Sequence, residues 1–210
     1  YASLLCPCIG SFPRLPAVPC VAGDLFIMPN ESDAFARALA VLKQYFGYAS
    51  FRPAQAPVVQ SLLARRDTVA IMPTGAGKSI CFQVPALLLP GVTLVISPLI
   101  SLMKDQCDAL GDAGVPATFI NSTLSSAEWS ARMQAIAAGD VKLIYVAPER
   151  LDTNAFEGLW SRVPVSMVAV DEAHCLSQWG HDFRPSYQAI APFIARLPRR
   201  PIVSAFTATA

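Results

Sequence analysis

Thr68-Val69-Ala70-Ile71-Met72, followed at once by Pro73-Thr74-Gly75-Ala76-Gly77-Lys78-Ser79, is the stretch on which the fold turns. The first five residues are mostly apolar and rich in β-branched side chains, as a strand requires, and Lys78 opens a segment long enough for a helix. Between them, Gly75 and Gly77 permit a tight turn that aims backbone N–H groups at a phosphate. The helix N-terminus adds a favourable partial positive charge. Thr74, Gly75, Ala76 and Gly77 form the cradle, Lys78 offers a point charge to β- and γ-phosphates, and Ser79 offers a hydroxyl to magnesium. The strict pattern has glycine six residues before the lysine, where this chain has Met72.

Working outward, short apolar runs alternate with longer segments. Thr68–Met72, Val92–Ser97, Ala117–Ile120, Lys142–Val146, Ser166–Val170 and Ile202–Phe206 are expected as strands. The segments 78–89, 98–113, 125–138, 148–160 and 185–197 are long enough for helical crossovers. That order predicts an α/β fold, a mostly parallel sheet with helices on both faces, whose ligands gather at the carboxyl ends of the strands. Upstream, Phe35, Leu39, Leu42 and Phe46 mark the apolar face of a helix that Ser32 or Asp33 can cap.

Of 210 residues, 53% are apolar, enough for one substantial core, and a formal charge of +1 gives no global field for a polyanion. Any nucleic-acid contact is therefore local. The six cysteines show no zinc-ligand spacing, which suits free thiols in a reducing cytoplasm. Gln83 to Met103 is free of charge and has the length of a membrane span, but Pro85, Pro90, Gly91 and Pro98 divide it, so no membrane partner is expected. Residues 1–29, rich in proline and lacking signal-peptide organisation, read as an unstructured or artefactual appendage to a domain over 30–210.

Asp171-Glu172-Ala173-His174 follows the strand residues Val168-Ala169-Val170. Two adjacent carboxylates at a strand end suit two tasks: Asp171 holds magnesium through its water shell, and Glu172 orients or deprotonates an attacking water. His174 completes the tetrapeptide and is counted among the catalytic candidates.

The surrounding words are narrower. Asp171 to Tyr187 reads DEAHCLSQWGHDFRPSY, which resembles the magnesium motif of RecQ DNA helicases and their aromatic-rich loop. Phe46 to Gln55 is similar to the adenine-reading motif of that family, and Ser97 to Gln106, Tyr145 to Leu151 and Phe206 to Ala210 also resemble RecQ segments, in the family's order. Helicases of superfamily 2 commonly relax the first loop glycine, so Met72 fits the resemblance.

The resemblance implies a RecA-like P-loop NTPase lobe of a motor that uses ATP and Mg2+. It further implies movement 3′ to 5′ on single-stranded DNA, action on partly duplex DNA in repair and recombination, and a place in the bacterial cytoplasm near the nucleoid. Tyr48 is then expected to stack on adenine, or to pack in the core; Gln55 to read the N6 and N7 edge; and Arg52 to lie one helical turn from Tyr48. Gln178, Trp179, His181, Phe183 and Arg184 offer aromatic faces, hydrogen bonds and charge to a strand. Lys104 and Asn121 stand where the family touches the sugar-phosphate track, or are an ordinary surface lysine and turn asparagine. Family order also leads to the expectation of a second RecA-like lobe after Ala210, carrying an arginine for the γ-phosphate. Two alternatives stay open: a nucleotide-binding module that does not unwind, and a DEAH-type RNA helicase, against which the Gln178–Arg184 run argues.

Overall fold

The computed structural model describes residues 31–151, 158–177 and 183–208. The expectations for residues 1–30 and for Gln178, Trp179 and His181 lie outside the described residues. Six strands form one sheet in the order β1-β6-β5-β2-β4-β3, every neighbouring pair parallel. They are β1 (Thr68–Ile71), β2 (Val92–Ile96), β3 (Ala117–Ile120), β4 (Leu143–Val146), β5 (Val165–Val170) and β6 (Ile202–Thr207). All six expected strands are present.

Parallel strands covered on both faces alternate their side chains between two cores. On β2, Leu94 and Ile96 join one core while Val95 joins the other; β4 and β5 divide in the same way, with Val168 and Val170 opposite Met167 and Ala169. The first core is closed by α5 (Ser126–Ala138) and α6 (Ile190–Arg196), through Ile136, Ile190 and Phe193. The second is closed by α2 (Gln55–Leu63), α3 (Lys78–Leu88) and α4 (Ile100–Asp112), through Leu62, Phe82, Met103 and Leu110. α1 (Glu31–Phe46) adds a smaller cluster in which Ala38 and Leu42 meet Val59 and Val84.

Several boundaries depart from the expected ones. α1 already includes Ser32 and Asp33, so neither stands outside it as a cap; Asp33 instead pairs with Arg37 one turn on, at 3.7 Å. The segment opening at Pro148 begins as a three-residue 3-10 turn, and Pro185–Ala189 is a 3-10 turn before α6. Pro85 lies inside α3 rather than ending it. The Gln83–Met103 stretch resolves into the end of α3, a turn, β2 and the start of α4. Gly91 makes that turn possible, with φ +71° and a backbone so close that a Cβ would collide with the Pro164 carbonyl oxygen. Among the described residues, no helix is long and apolar enough to cross a membrane; Cys81 and Cys107 are buried free thiols, and Cys175 is also buried.

Two consequences can be measured. Phe206 is fully buried on β6 and meets the Phe82 ring edge-on at 5.3 Å between centroids. Phe206→Ala is expected to lower unfolding stability by about 3–5 kcal/mol, read from the shift in a urea transition. The second consequence concerns Asp67, just before β1, whose carboxylate accepts from the Arg200 guanidinium and from the Val203 N–H at 2.9 Å. Hydrogen bonding to Arg200, then to Val203, holds this carboxyl below its usual pKa. Its stabilising contribution is therefore present above the ordinary aspartate value of about 3.9 and fades as pH falls through the lowered one. The stability gap between the parent and Asp67→Asn is expected to be constant from neutral pH down to about 5 and to close below it.

Candidate active site

The loop between β1 and α3 is built on two left-handed glycines, Gly75 and Gly77, each with φ +80°. Any larger residue would strain this backbone, and a Cβ at Gly77 would collide with the Gln55 amide nitrogen. The first turn of α2 holds the loop from behind. Gln55 Nε2 donates to the carbonyl oxygens of Ala76 at 3.2 Å and Gly77 at 3.0 Å, Gln55 Oε1 accepts from Arg52 N at 2.9 Å, and Arg52 Nη1 donates to Gly75 O at 2.6 Å.

Gln55 is 5% exposed and both ends of its amide have protein partners, so in this structure it anchors the loop. One expectation is corrected. Arg52 does not lie one helical turn from Tyr48, because residues 47–54 form no helix between α1 and α2. Tyr48 is 56% exposed. Core packing is thereby excluded, and the ring face is open to stack.

Lys78 is the first residue of α3, and Ser79 follows it. Across the strand ends, Lys78 Nζ reaches Glu172 Oε1 at 3.5 Å, while His174 Nδ1 lies 3.3 Å from Glu172 Oε2 and 3.3 Å from Thr207 Oγ1. Glu172 thus connects the phosphate loop to the end of β6. Its backbone is left-handed, φ 49° and ψ 49°, a conformation that a residue with a Cβ adopts at a cost of roughly 1–2 kcal/mol. Its own N–H donates to Asp171 Oδ1 at 3.0 Å. Asp171 N donates to Ile96 O at 2.8 Å, and the phenol of Tyr187 donates to Asp171 O at 2.9 Å. Burial, and then the neighbouring Glu172 charge, push the Asp171 carboxyl above its usual pKa, against the opposing pull of the Glu172 N–H, Lys78 and His174.

The groups meet at a cleft of about 390 Å³ lined by Thr74, Leu99, Glu172, His174 and Arg184, among others. Arg184 Nη1 donates to Pro98 O at 3.2 Å, which fixes the stretch after the carboxylate pair against the loop ahead of α4. Phe183 is half-buried, and Lys104, on the first turns of α4, is exposed. Asn121 is corrected: it is 2% exposed, and its Oδ1 accepts from Thr123 N at 3.0 Å and Thr123 Oγ1 at 2.8 Å. It shapes a turn and presents no side chain to a strand. Tyr187 and Thr207 received no role from the sequence reading. Both lie inside quoted motifs, yet only the fold shows that they touch Asp171 and His174.

Curated relatives share much of this chain. The ATP-dependent DNA helicase RecQ of Bacillus subtilis (strain 168) is 51% identical over 175 residues, which is 83% of this chain and 30% of that protein. RecQ of Haemophilus influenzae is 50% identical over 173 residues, 82% of this chain and 28% of its own length. The chain therefore spans about 30% of the length of these relatives. Among solved structures, Mycobacterium smegmatis helicase Lhr bound to ssDNA and AMP-PNP superposes with TM-score 0.65 at 19% identity, over 84% of this chain and 25% of that one. A hypothetical ATP-dependent RNA helicase from Sulfolobus tokodaii gives TM-score 0.61 at 20% identity, over 84% and 50%. Likeness at such identities shows the fold. The DEAD/DEAH box helicase model matches residues 52–210, the span that carries the loop, the carboxylate pair and the sheet joining them, and the chain belongs to that family.

Proposed function

We propose that residues 30–210 are the RecA-like, nucleotide-binding lobe of an ATP-dependent 3′–5′ DNA helicase of RecQ type, in which ATP hydrolysis drives movement along single-stranded DNA and opening of partly duplex DNA. The observation that carries this reading is the convergence of Lys78 and Glu172 to 3.5 Å across the carboxyl ends of two separate strands. A phosphate between them would take over the lysine's charge and release the glutamate. DNA is favoured over RNA as the track because the relatives at about 50% identity are named DNA helicases, whereas the RNA-helicase likeness rests on 20% identity.

The residues present also fit a magnesium ion. Asp171 and Ser79 line one small cavity, and a buried carboxylate whose proton affinity is raised by burial and by a neighbouring charge is relieved by a cation. When bound, the ion would neutralise charge on the β- and γ-phosphate oxygens. The chain's own part is positional. Gly75 to Gly77 present backbone N–H groups, Lys78 pairs with phosphate oxygen, and Glu172, oriented by His174, accepts a proton from water or aligns it. Tyr48 can stack on adenine, and Gln55 can read its edge once the amide leaves the carbonyls of Ala76 and Gly77. Lys104, Phe183 and Arg184, together with Gln178, Trp179 and His181, form the proposed DNA-facing set, and the arginine for the γ-phosphate is assigned to a second lobe.

Lys78→Ala is expected to weaken ATP binding by about 10- to 100-fold without unfolding the chain, since it removes a charge-assisted contact worth roughly 1.5–3 kcal/mol. Titration calorimetry showing parent-like affinity would refute the assignment. Glu172→Gln in the complete helicase is expected to keep ATP binding and lose about 10²- to 10⁴-fold in turnover. Parent-like hydrolysis by that variant removes Glu172 from the water-activating role.

A further inference from the structure

The second core contains one polar island. Gln83 on α3 donates through Nε2 to Tyr145 Oη at 3.0 Å and to Gln106 Oε1 at 3.2 Å, and Tyr145 Oη lies 3.4 Å from Gln106 Oε1. Three elements, α3, β4 and α4, each contribute one corner of a closed triangle. Much of its surroundings is apolar. Phe82, Val95, Met103, Cys107 and Leu143 belong to the same core, burial pushes the Cys107 and Cys81 thiols up to about 12, and it raises the Tyr145 phenol as well.

Polar groups in such a setting are seldom the most stable filling. Replacing hydrogen-bonded partners together by apolar side chains of similar shape is often nearly neutral, whereas leaving one partner alone costs about 1–3 kcal/mol. What a satisfied triangle adds is register, because its bonds close only when the three elements hold one relative position. Its place in the fold gives that register a use. Gln83 stands one turn after Ser79 on the same side of α3, so a shift of the phosphate-loop helix moves both residues together. Gln106 stands two residues after the exposed Lys104 on α4. Between the triangle and the magnesium candidates lies a cavity of about 40 Å³ lined by Ser79, Phe82, Met103, Gln106, Tyr145 and Asp171. The site and the triangle share its walls.

Building on the helicase reading, we propose that the Gln83–Tyr145–Gln106 triangle is a positioning link that sets α4 against the phosphate-loop helix α3, so that nucleotide at Lys78 and Ser79 and a DNA strand at the start of α4 respond to each other. Its three side chains act by position and not by contact with either ligand. Thermodynamic linkage then requires the response to run both ways: strand binding alters nucleotide affinity by the same factor that nucleotide alters strand affinity.

The test uses the full-length protein that carries these residues, oligothymidylate as the strand, and a non-hydrolysable ATP analogue for the binding arm. Tyr145→Phe keeps the ring and removes one corner of the triangle; Gln106→Leu removes another from a half-exposed position and serves if the first variant folds poorly. Each is expected to fold with a melting temperature lowered by only a few degrees and to retain the parent's KM for ATP and its DNA-free turnover. Stimulation of hydrolysis by oligothymidylate is expected to fall about 3- to 10-fold, the effect of losing one hydrogen bond, and the analogue's effect on oligothymidylate affinity should shrink by a similar factor. The double variant should lose no more than the worse single one, because both break the same closed unit. Undiminished stimulation and analogue effect in both variants overturn the proposal. So does a loss of DNA-free turnover in step with stimulation, which would mark the triangle as structural filling. A parent protein whose hydrolysis ignores oligothymidylate sinks the helicase reading and the link together, whereas a responsive parent with equally responsive variants sinks the link alone.

Discussion

Lys78 can meet Glu172 only because β1 and β5 finish at the same edge of the sheet, with β6 between them. Every strand runs the same way, so the phosphate loop after β1, the carboxylates after β5 and Thr207 at the end of β6 are delivered to one level without any long excursion of the chain. That alignment depends on covering both faces of the sheet, since each parallel strand is reached by a crossover that must return over one face or the other. Cores and site are therefore one construction. Loosening Phe82 against Phe206 would disturb both, because Phe82 sits on the helix that Lys78 begins and Phe206 immediately precedes Thr207.

The groups at the strand ends form a connected chain of charge and hydrogen bonding from Lys78 through Glu172 and His174 to Thr207. Such a chain is sensitive to what enters at either end. An anion drawn to Lys78 would change the partner of Glu172, and the left-handed backbone at Glu172 leaves that residue little freedom to absorb the change elsewhere. Asp171 is steadied differently, by backbone contacts from Ile96 and by the Tyr187 phenol. Asp171 is thus held through its backbone, while the Glu172 carboxylate pairs with two side chains, Lys78 and His174. That division suits a metal-holding residue beside a proton-handling one.

The fold was legible because burial on both faces writes strands as continuous apolar runs, and Val92–Ile96 and Val165–Val170 are almost wholly buried. The loop was legible for a different reason: two glycines before a lysine satisfy a backbone requirement that local sequence alone can express. Side-chain direction was not legible. Asn121 bonds Thr123 two residues on, a local turn contact that its residue type allows, but Gln55 turns inward to the loop carbonyls, because tertiary neighbours, which no local pattern encodes, offered it partners. Tyr187 escaped notice for the same reason: its contact with Asp171 spans sixteen residues and depends on how the stretch after the carboxylates folds back. The triangle of Gln83, Tyr145 and Gln106 joins residues separated by up to 62 positions, beyond the reach of any motif.

One end of the sheet has a different implication. β1 has a single neighbour among the described residues, and its Val69 and Ile71 side chains are 73% and 59% exposed. An unpaired strand flank next to bare aliphatic side chains is a template on which another extended chain can add itself, and nothing charged on β1 repels it. Handled as an isolated polypeptide, these residues should therefore be hard to keep dispersed at high concentration, and a lysine in place of Val69 should improve solubility without touching the cleft.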